Sequence, residues 1–261
     1  MNRCWHTKES LLTRVRILCY DRGMVKTFPN ILLIGASHGN ELLGPKLFSY
    51  LLQHRKEVLE YVDMLIGNPR AFAARKRYIE SDINRSYNTA LDTYESRRAD
   101  YIKNYIAVNK PDLVIDFHTT TAIQPNCLIV STINDSEVRR YMRASHVNNV
   151  IVVHPLHDIT EVAPHFVAYE ISNANINTAL LDAICDDIMR FVRSEVASNN
   201  KVVYQMQGKI PTDDSGILSN RDNFVYRKDL RYTPSFIGEK AYEQDGTYVG
   251  FMLSEPREIS L

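Results

Sequence analysis

Apolar and polar positions along the chain fall into short runs that alternate between two spacings. Runs of strand length stand at 14–20 (RVRILCY), 31–35 (ILLIG), 62–66, 113–117 (LVIDF), 127–131, 150–153 and 166–171, with turn-forming or helical sequence between them. After ILLIG comes a polar loop, SHGNE, and then a helical stretch to about Glu60. Its Leu43, Leu47, Phe48, Leu51 and Leu52 recur at helical spacing and predict a face laid against a sheet. Further helices are expected over 92–109, ended by Lys110-Pro111, near Asp135–Ser145, and over 175–197, where Ile176, Leu180, Ala183, Ile184, Ile188, Phe191 and Val192 form one stripe with Asp187 at its edge. The segment 68–87 shows neither period and reads as a polar loop rich in Arg, Asp and Asn. Beyond Asn199-Asn200 the texture turns to short β-like pieces. The alternation of strand and helix predicts an α/β main domain over residues 1–199, followed by a small β-rich domain over 200–261 that contributes to the cleft.

Composition narrows the classes of function. Lys plus Arg and Asp plus Glu are both 31 in 261 residues, so no cationic excess argues for nucleic acid. Strand-sized apolar runs fall short of the roughly 18 residues of a membrane span, and charges interrupt the N-terminal leucines before a signal-peptide core can form. A cytoplasmic protein without nucleic-acid or membrane partners is expected. Cys4, Cys19, Cys127 and Cys185 are dispersed and read as structural thiols.

Ligands of open α/β sheets bind beyond the carboxyl ends of strands, and two such ends here carry a histidine. ILLIG leads into His38-Gly39-Asn40-Glu41, and LVIDF into His118. If a helix starts near Asn40, Gly39 permits the tight turn that lets His38 and Glu41 converge on one ion. With His118 at the same sheet edge the set becomes His₂Glu, which catalytic zinc uses with a fourth position open. The competing reading makes His118 a core or capping histidine and HxxE a chance pair. Asp116, on the same strand face as His118, is placed either to hold the imidazole through its other nitrogen or to accept a buried hydrogen bond. In the loop, Arg77, Asn84 and Arg85 are donors matched to a carboxylate, although with Arg70, Arg75 and Lys76 they also read as a solvated basic surface. Asp82 would pair within the loop and fix it. Glu170 interrupts an apolar strand, where a carboxylate is costly unless paired or working as a base.

GASHGNELLG at 35–44, GNPRAF at 67–72, RYIESDINRSY at 77–87 and DFHTTT at 116–121 together resemble the succinylglutamate desuccinylase and aspartoacylase family of the zinc carboxypeptidase-like superfamily. The resemblance implies a mixed β-sheet flanked by helices and a small C-terminal β domain. It implies one zinc ion per chain on His38, Glu41 and His118, and substrate contacts from Arg77, Asn84 and Arg85. It also implies Glu170 as general base and Tyr242 as a residue reaching the cleft from the C-terminal part. The implied reaction is hydrolysis of the acyl-amide bond of an N-acyl amino acid bearing a free carboxylate, with Arg77 polarising the carbonyl. An arginine that aspartoacylases carry about ten residues before the general base is replaced by Thr160, which argues against N-acetylaspartate itself. A carboxypeptidase of peptide C-termini and a non-catalytic metabolite-binding protein are the alternatives, and assembly into a homo-oligomer stays open.

Overall fold

The computed structural model describes residues 29–153 and 159–261. The strand expected at 14–20, with Cys4 and Cys19, lies outside the described residues. In chain order the elements are β1 (Ile31–Gly35), α1 (Leu43–His54), β2 (Val62–Ile66), α2 (Pro69–Ala74), α3 (Tyr94–Asn109), β3 (Leu113–Thr120), β4 (Cys127–Val130), α4 (Ser136–Ala144), β5 (Asn149–Val152), β6 (Phe166–Ser172), α5 (Thr178–Arg193), β7 (Asn200–Pro211), β8 (Thr233–Ser235), α6 (Lys240–Asp245), β9 (Tyr248–Leu253) and β10 (Arg257–Ser260).

One mixed sheet runs in the order β2-β1-β3-β6-β4-β5-β7-β9-β8, with β10 also pairing β7. The strands β2, β1, β3 and β6 are parallel neighbours, and β4 joins β6 antiparallel. Alternate residues of the pleat face opposite sides. Ile31, Leu33, Ile115, Phe117, Val167 and Tyr169 enter the larger core, covered by α1, α4 and α5. Leu32, Ile34, Val114, Phe166 and Ala168 face the other way with Ile102 and Ile106 of α3. That second face, continued along β3 and β6, reaches Asp116, His118 and Glu170.

Several local expectations shift. The first helix stops at His54, and a 3₁₀ turn at Lys56–Glu60 completes the stretch. Leu43, Leu47, Phe48 and Leu51 are buried as the spacing predicts, whereas Leu52 is 39% exposed and lies off the packed stripe. Asp187, expected at the edge of α5, is fully buried: it accepts hydrogen bonds from Tyr169, Ser145 and the His146 amide and pairs with Arg190. A packed carboxylate with that many donors is satisfied in place. Cys127 and Cys185 are free and buried.

Residues from Asn200 onward supply four strands. The long β7 pairs β5 through Asn149–Val152 in its first half and β9 in its second, so it continues the main sheet into the C-terminal part. No helix among the described residues is long and apolar enough to cross a membrane.

Candidate active site

The turn after β1 is built by close backbone approach. Ala36 takes a positive φ of 55°, an uncommon conformation for a residue with a side chain, and turns the chain out of the strand. The expected early helix start near Asn40 is not realised, since α1 begins at Leu43. Gly39 is needed for a different reason from a helix-opening turn: a Cβ there would stand 2.1 Å from the Ala71 carbonyl carbon of α2. Its amide donates to the Arg77 carbonyl at 3.1 Å, tying this turn to the segment 75–87.

His38, Glu41 and His118 meet in a buried cluster, with one ligand atom of each within 4.8 Å of the others. The Nδ1 atoms of His38 and His118 lie 2.7 Å and 3.0 Å from Glu41 Oε1 and Oε2. The outward Nε2 atoms are held by carboxylates too, His38 on Asp82 Oδ1 at 3.1 Å and His118 on Asp116 Oδ2 at 2.9 Å. Asp116 is itself fixed by the Ser37 hydroxyl and the Phe117 amide. A carboxylate on the outer nitrogen of each imidazole orients the inner one, which is how metal-binding histidines are commonly supported. Two inward imidazole nitrogens and a carboxylate in a buried pocket suit a zinc-type ion.

The electrostatics follow from the same geometry. Burial opposes ionisation of Glu41, but His38 and His118 outweigh it and hold the carboxyl well below the usual range. Burial likewise opposes charging of His118, and Asp116 and Glu41 overcome it, raising the imidazole well above its usual value. Glu170 has no such compensation: loss of solvent pushes its carboxyl up to about 8, only partly offset by His118. It lies beside His118 in the β3–β6 register.

The expected residues converge on one cavity of about 440 Å³, lined by His38, Glu41, Arg77, Asn84, Arg85, His118, Glu170 and Tyr242. The segment read as loop contains α2 and a 3₁₀ turn at Ile83–Arg85, capped by Asp82, whose side chain accepts from the Asn84 amide. Arg77 is half-buried, with its guanidinium 3.5 Å from Glu41 and 3.3 Å from Asp82, so Asp82 does pair within this segment. Arg70, Arg75 and Lys76 are exposed, as the surface reading had it, while Arg85 is exposed and also reaches the cavity. Tyr242 packs against Tyr248, Phe251 and Phe236, and burial raises its phenol well above the ordinary value, so it stays a donor.

Two carboxylates that shape the site were not picked out from sequence. Glu95, fully buried on α3, accepts from the amides of Ile79, Glu80 and Ser81 and from Asn68, and so holds the chain between Arg77 and Asp82. Glu239 caps α6 through the Ala241 amide and accepts from Thr120 Oγ1 and the Thr121 amide, both at 2.6 Å. It pins the helix bearing Tyr242 to the end of the strand bearing His118. The one signal for Glu239 in the sequence was an acid following Gly238 at a helix start.

The model of the succinylglutamate desuccinylase/aspartoacylase catalytic domain matches residues 27–176. A probable aspartoacylase of Nostoc sp. is 42% identical over 105 residues, 35% of this chain and 35% of that protein. An N-acyl-aromatic-L-amino acid amidohydrolase (carboxylate-forming) of Rattus norvegicus is 32% identical over 127 residues, 43% of this chain and 40% of its own length. The alignments thus span less than half of either relative. Murine aminoacylase 3 superposes with a TM-score of 0.68 at 19% identity, over 89% of this chain and 96% of that one, and shares the mixed α/β fold. With more than half its length matched by the domain model, this chain belongs to the succinylglutamate desuccinylase/aspartoacylase family.

Proposed function

We propose that the protein is a metal-dependent amidohydrolase that cleaves the acyl-amide bond of an N-acyl amino acid to a carboxylic acid and a free amino acid. The observation that carries this reading is the convergence of His38, Glu41 and His118 in the same cavity as Glu170, Arg77, Asn84 and Arg85. The names of the Nostoc and rat relatives point to the same bond.

One zinc ion held by His38 Nδ1, His118 Nδ1 and Glu41 would supply an acidified water and an electrophile for the amide carbonyl. Glu170, which the charge of a neighbouring zinc ion would keep ionised against the upward pull of burial, accepts a proton from the attacking water and returns it to the departing amine nitrogen. Arg77 stands beside Glu41 at the cavity wall, where its guanidinium offsets the charge that develops on the carbonyl oxygen. Arg85 and Asn84 bind the carboxylate of the amino acid. Tyr242, a protonated phenol fixed by its aromatic neighbours, donates to the substrate from the C-terminal part, which we assign to residues 200–261 as a small domain beside a catalytic domain over 1–199. We place the protein in the cytoplasm, with a small molecule as its partner.

The test is release of free amino acid from N-acetyl, N-formyl and N-succinyl amino acids by metal-replete protein. Chelator-sensitive release is expected. Release from unblocked peptides alone would assign a carboxypeptidase instead, and no release from either set would overturn hydrolysis.

A further inference from the structure

The cavity is chemically divided, and the division follows the pleat. On the face that carries His118 and Glu170, β3 offers Asp116 beside Ala168, whereas the β6 and β4 side is apolar: Ala168 and Phe166 precede Glu170 on β6 at intervals of two, and Ile129 of β4 stands opposite Ala168 in register. Among the described residues, Val153, just beyond β5, and Ile159 also line this side. Ile129 and Val153 are only partly buried although both belong to apolar clusters, and both line the cavity.

Cations are placed elsewhere. Among the described residues, and apart from His38 and His118 of the buried cluster, the cavity's cations are Arg77, Arg85 and Lys209. Arg77 is engaged by Glu41 and Asp82, Arg85 belongs to the 83–85 turn, and Lys209 lies over the Tyr248 ring at 4.1 Å. None stands on the β4–β5–β6 wall. An anionic side chain seated there would lose its water with no described cation in compensation, whereas an apolar one would gain by leaving water.

We infer that the recess formed by Ile129, Val153, Ile159, Phe166 and Ala168 receives an apolar side chain of the substrate, making N-acyl derivatives of aliphatic or aromatic amino acids the preferred class. This rests on the hydrolase reading for its chemistry, but the recess can be tested by binding alone. Size discrimination in such pockets is commonly about 10-fold or more.

The experiment pairs turnover with calorimetry. Metal-replete protein is assayed with N-acetylphenylalanine, N-acetylleucine, N-acetylglycine and N-acetylaspartate, and the Glu170→Gln variant is titrated with the same four. The apolar pair should bind at least about ten times more tightly than the aspartate derivative. Val153→Asp should erase that margin, and Ile129→Ala, a milder change, should narrow it. Equal or tighter binding of the aspartate derivative overturns the inference whatever the turnover, as does a margin untouched in both folded variants. Apolar preference in binding with no turnover of any member sinks the hydrolase reading and leaves the recess intact.

Discussion

His118 and Glu170 occupy paired positions on adjacent parallel strands, so the proposed ligand and the proposed base share one face of the sheet beside each other. Neither depends on a loop for its placement. His118 is further fixed by Asp116 and Glu41, while Glu170 looks into the cavity with its carboxyl pushed up to about 8 by burial. The roles separate accordingly. Glu170→Gln should retain stoichiometric metal and lose turnover by about 10²–10⁴-fold, the usual span for a general base. Metal content by elemental analysis beside kcat checks it, and near-normal kcat would remove Glu170 from the proton path.

Asp116 and Asp82 hold the outer nitrogens of the two histidines proposed as metal ligands. Asp116→Asn and Asp82→Asn should each weaken metal binding by about 10–100-fold while leaving the fold in place. Competition with a chromophoric chelator measures the affinity. His118→Ala, which removes a ligand outright, should cost more than either, and a smaller loss than Asp116→Asn would mean that His118 is not a ligand.

The approach of the histidine turn to α2 is close enough to predict a steric effect. In Gly39→Ala the new methyl would sit 2.1 Å from the Ala71 carbonyl carbon, so the backbone has to move. Because His38 and Glu41 flank that residue, metal affinity should fall together with thermal stability. Unchanged metal binding at wild-type stability would contradict the packing of this turn.

What could be read in the sequence was the chemistry concentrated in short motifs. His38, Glu41 and His118 follow or end strong apolar runs, and the two-residue spacing of Asp116 from His118 already fixed their common face. The tertiary partners of Glu95 and Glu239 could not be read, because they are backbone amides and a hydroxyl 14–16 and 118–119 residues away and no period or motif marks such pairs; the helix start at Glu239 gave only its capping role. Asp187 was misread because helical spacing reports which face is buried, not whether donors wait there. Leu52 fits the leucine spacing of α1 but lies off the packed stripe, 39% exposed.

Glu95 offers a test of the hidden part of the design. Replacing it by Ala leaves the buried Asn68 side chain and the partly buried amides of Ile79, Glu80 and Ser81 without their acceptor, and an unsatisfied buried donor costs about 1–3 kcal/mol, less where water can reach it. Glu95→Ala should therefore lower stability by a few kcal/mol and raise KM through disorder of the Arg77–Arg85 segment. Urea denaturation and steady-state kinetics check the two effects. A stable variant with normal KM would show that the segment is held by something else.

Lys201 yields a pH dependence remote from the site. Its side chain is almost completely buried and donates to the carbonyls of Ser145 and Val147 at 2.8 Å and 2.7 Å. Burial lowers its pKa to about 8, with Asp187 opposing the shift and Arg190 adding to it. In the unfolded chain the ammonium keeps its proton to about pH 10.4. Between those values the unfolded state binds more protons than the folded one, so this residue's contribution to stability is smallest below the folded value and grows as pH rises towards the unfolded one. The gain cannot exceed about 1.4 kcal/mol per pH unit for one proton. Lys201→Met removes the titration, and subtracting its stability from that of the wild type cancels the other ionising groups. Urea denaturation at about pH 7.5, 8.5 and 9.5 should show that difference shifting in favour of the wild type as pH rises. A difference that stayed constant would mean that the buried ammonium keeps its proton throughout, held by the two carbonyls and Asp187 more firmly than burial disfavours it.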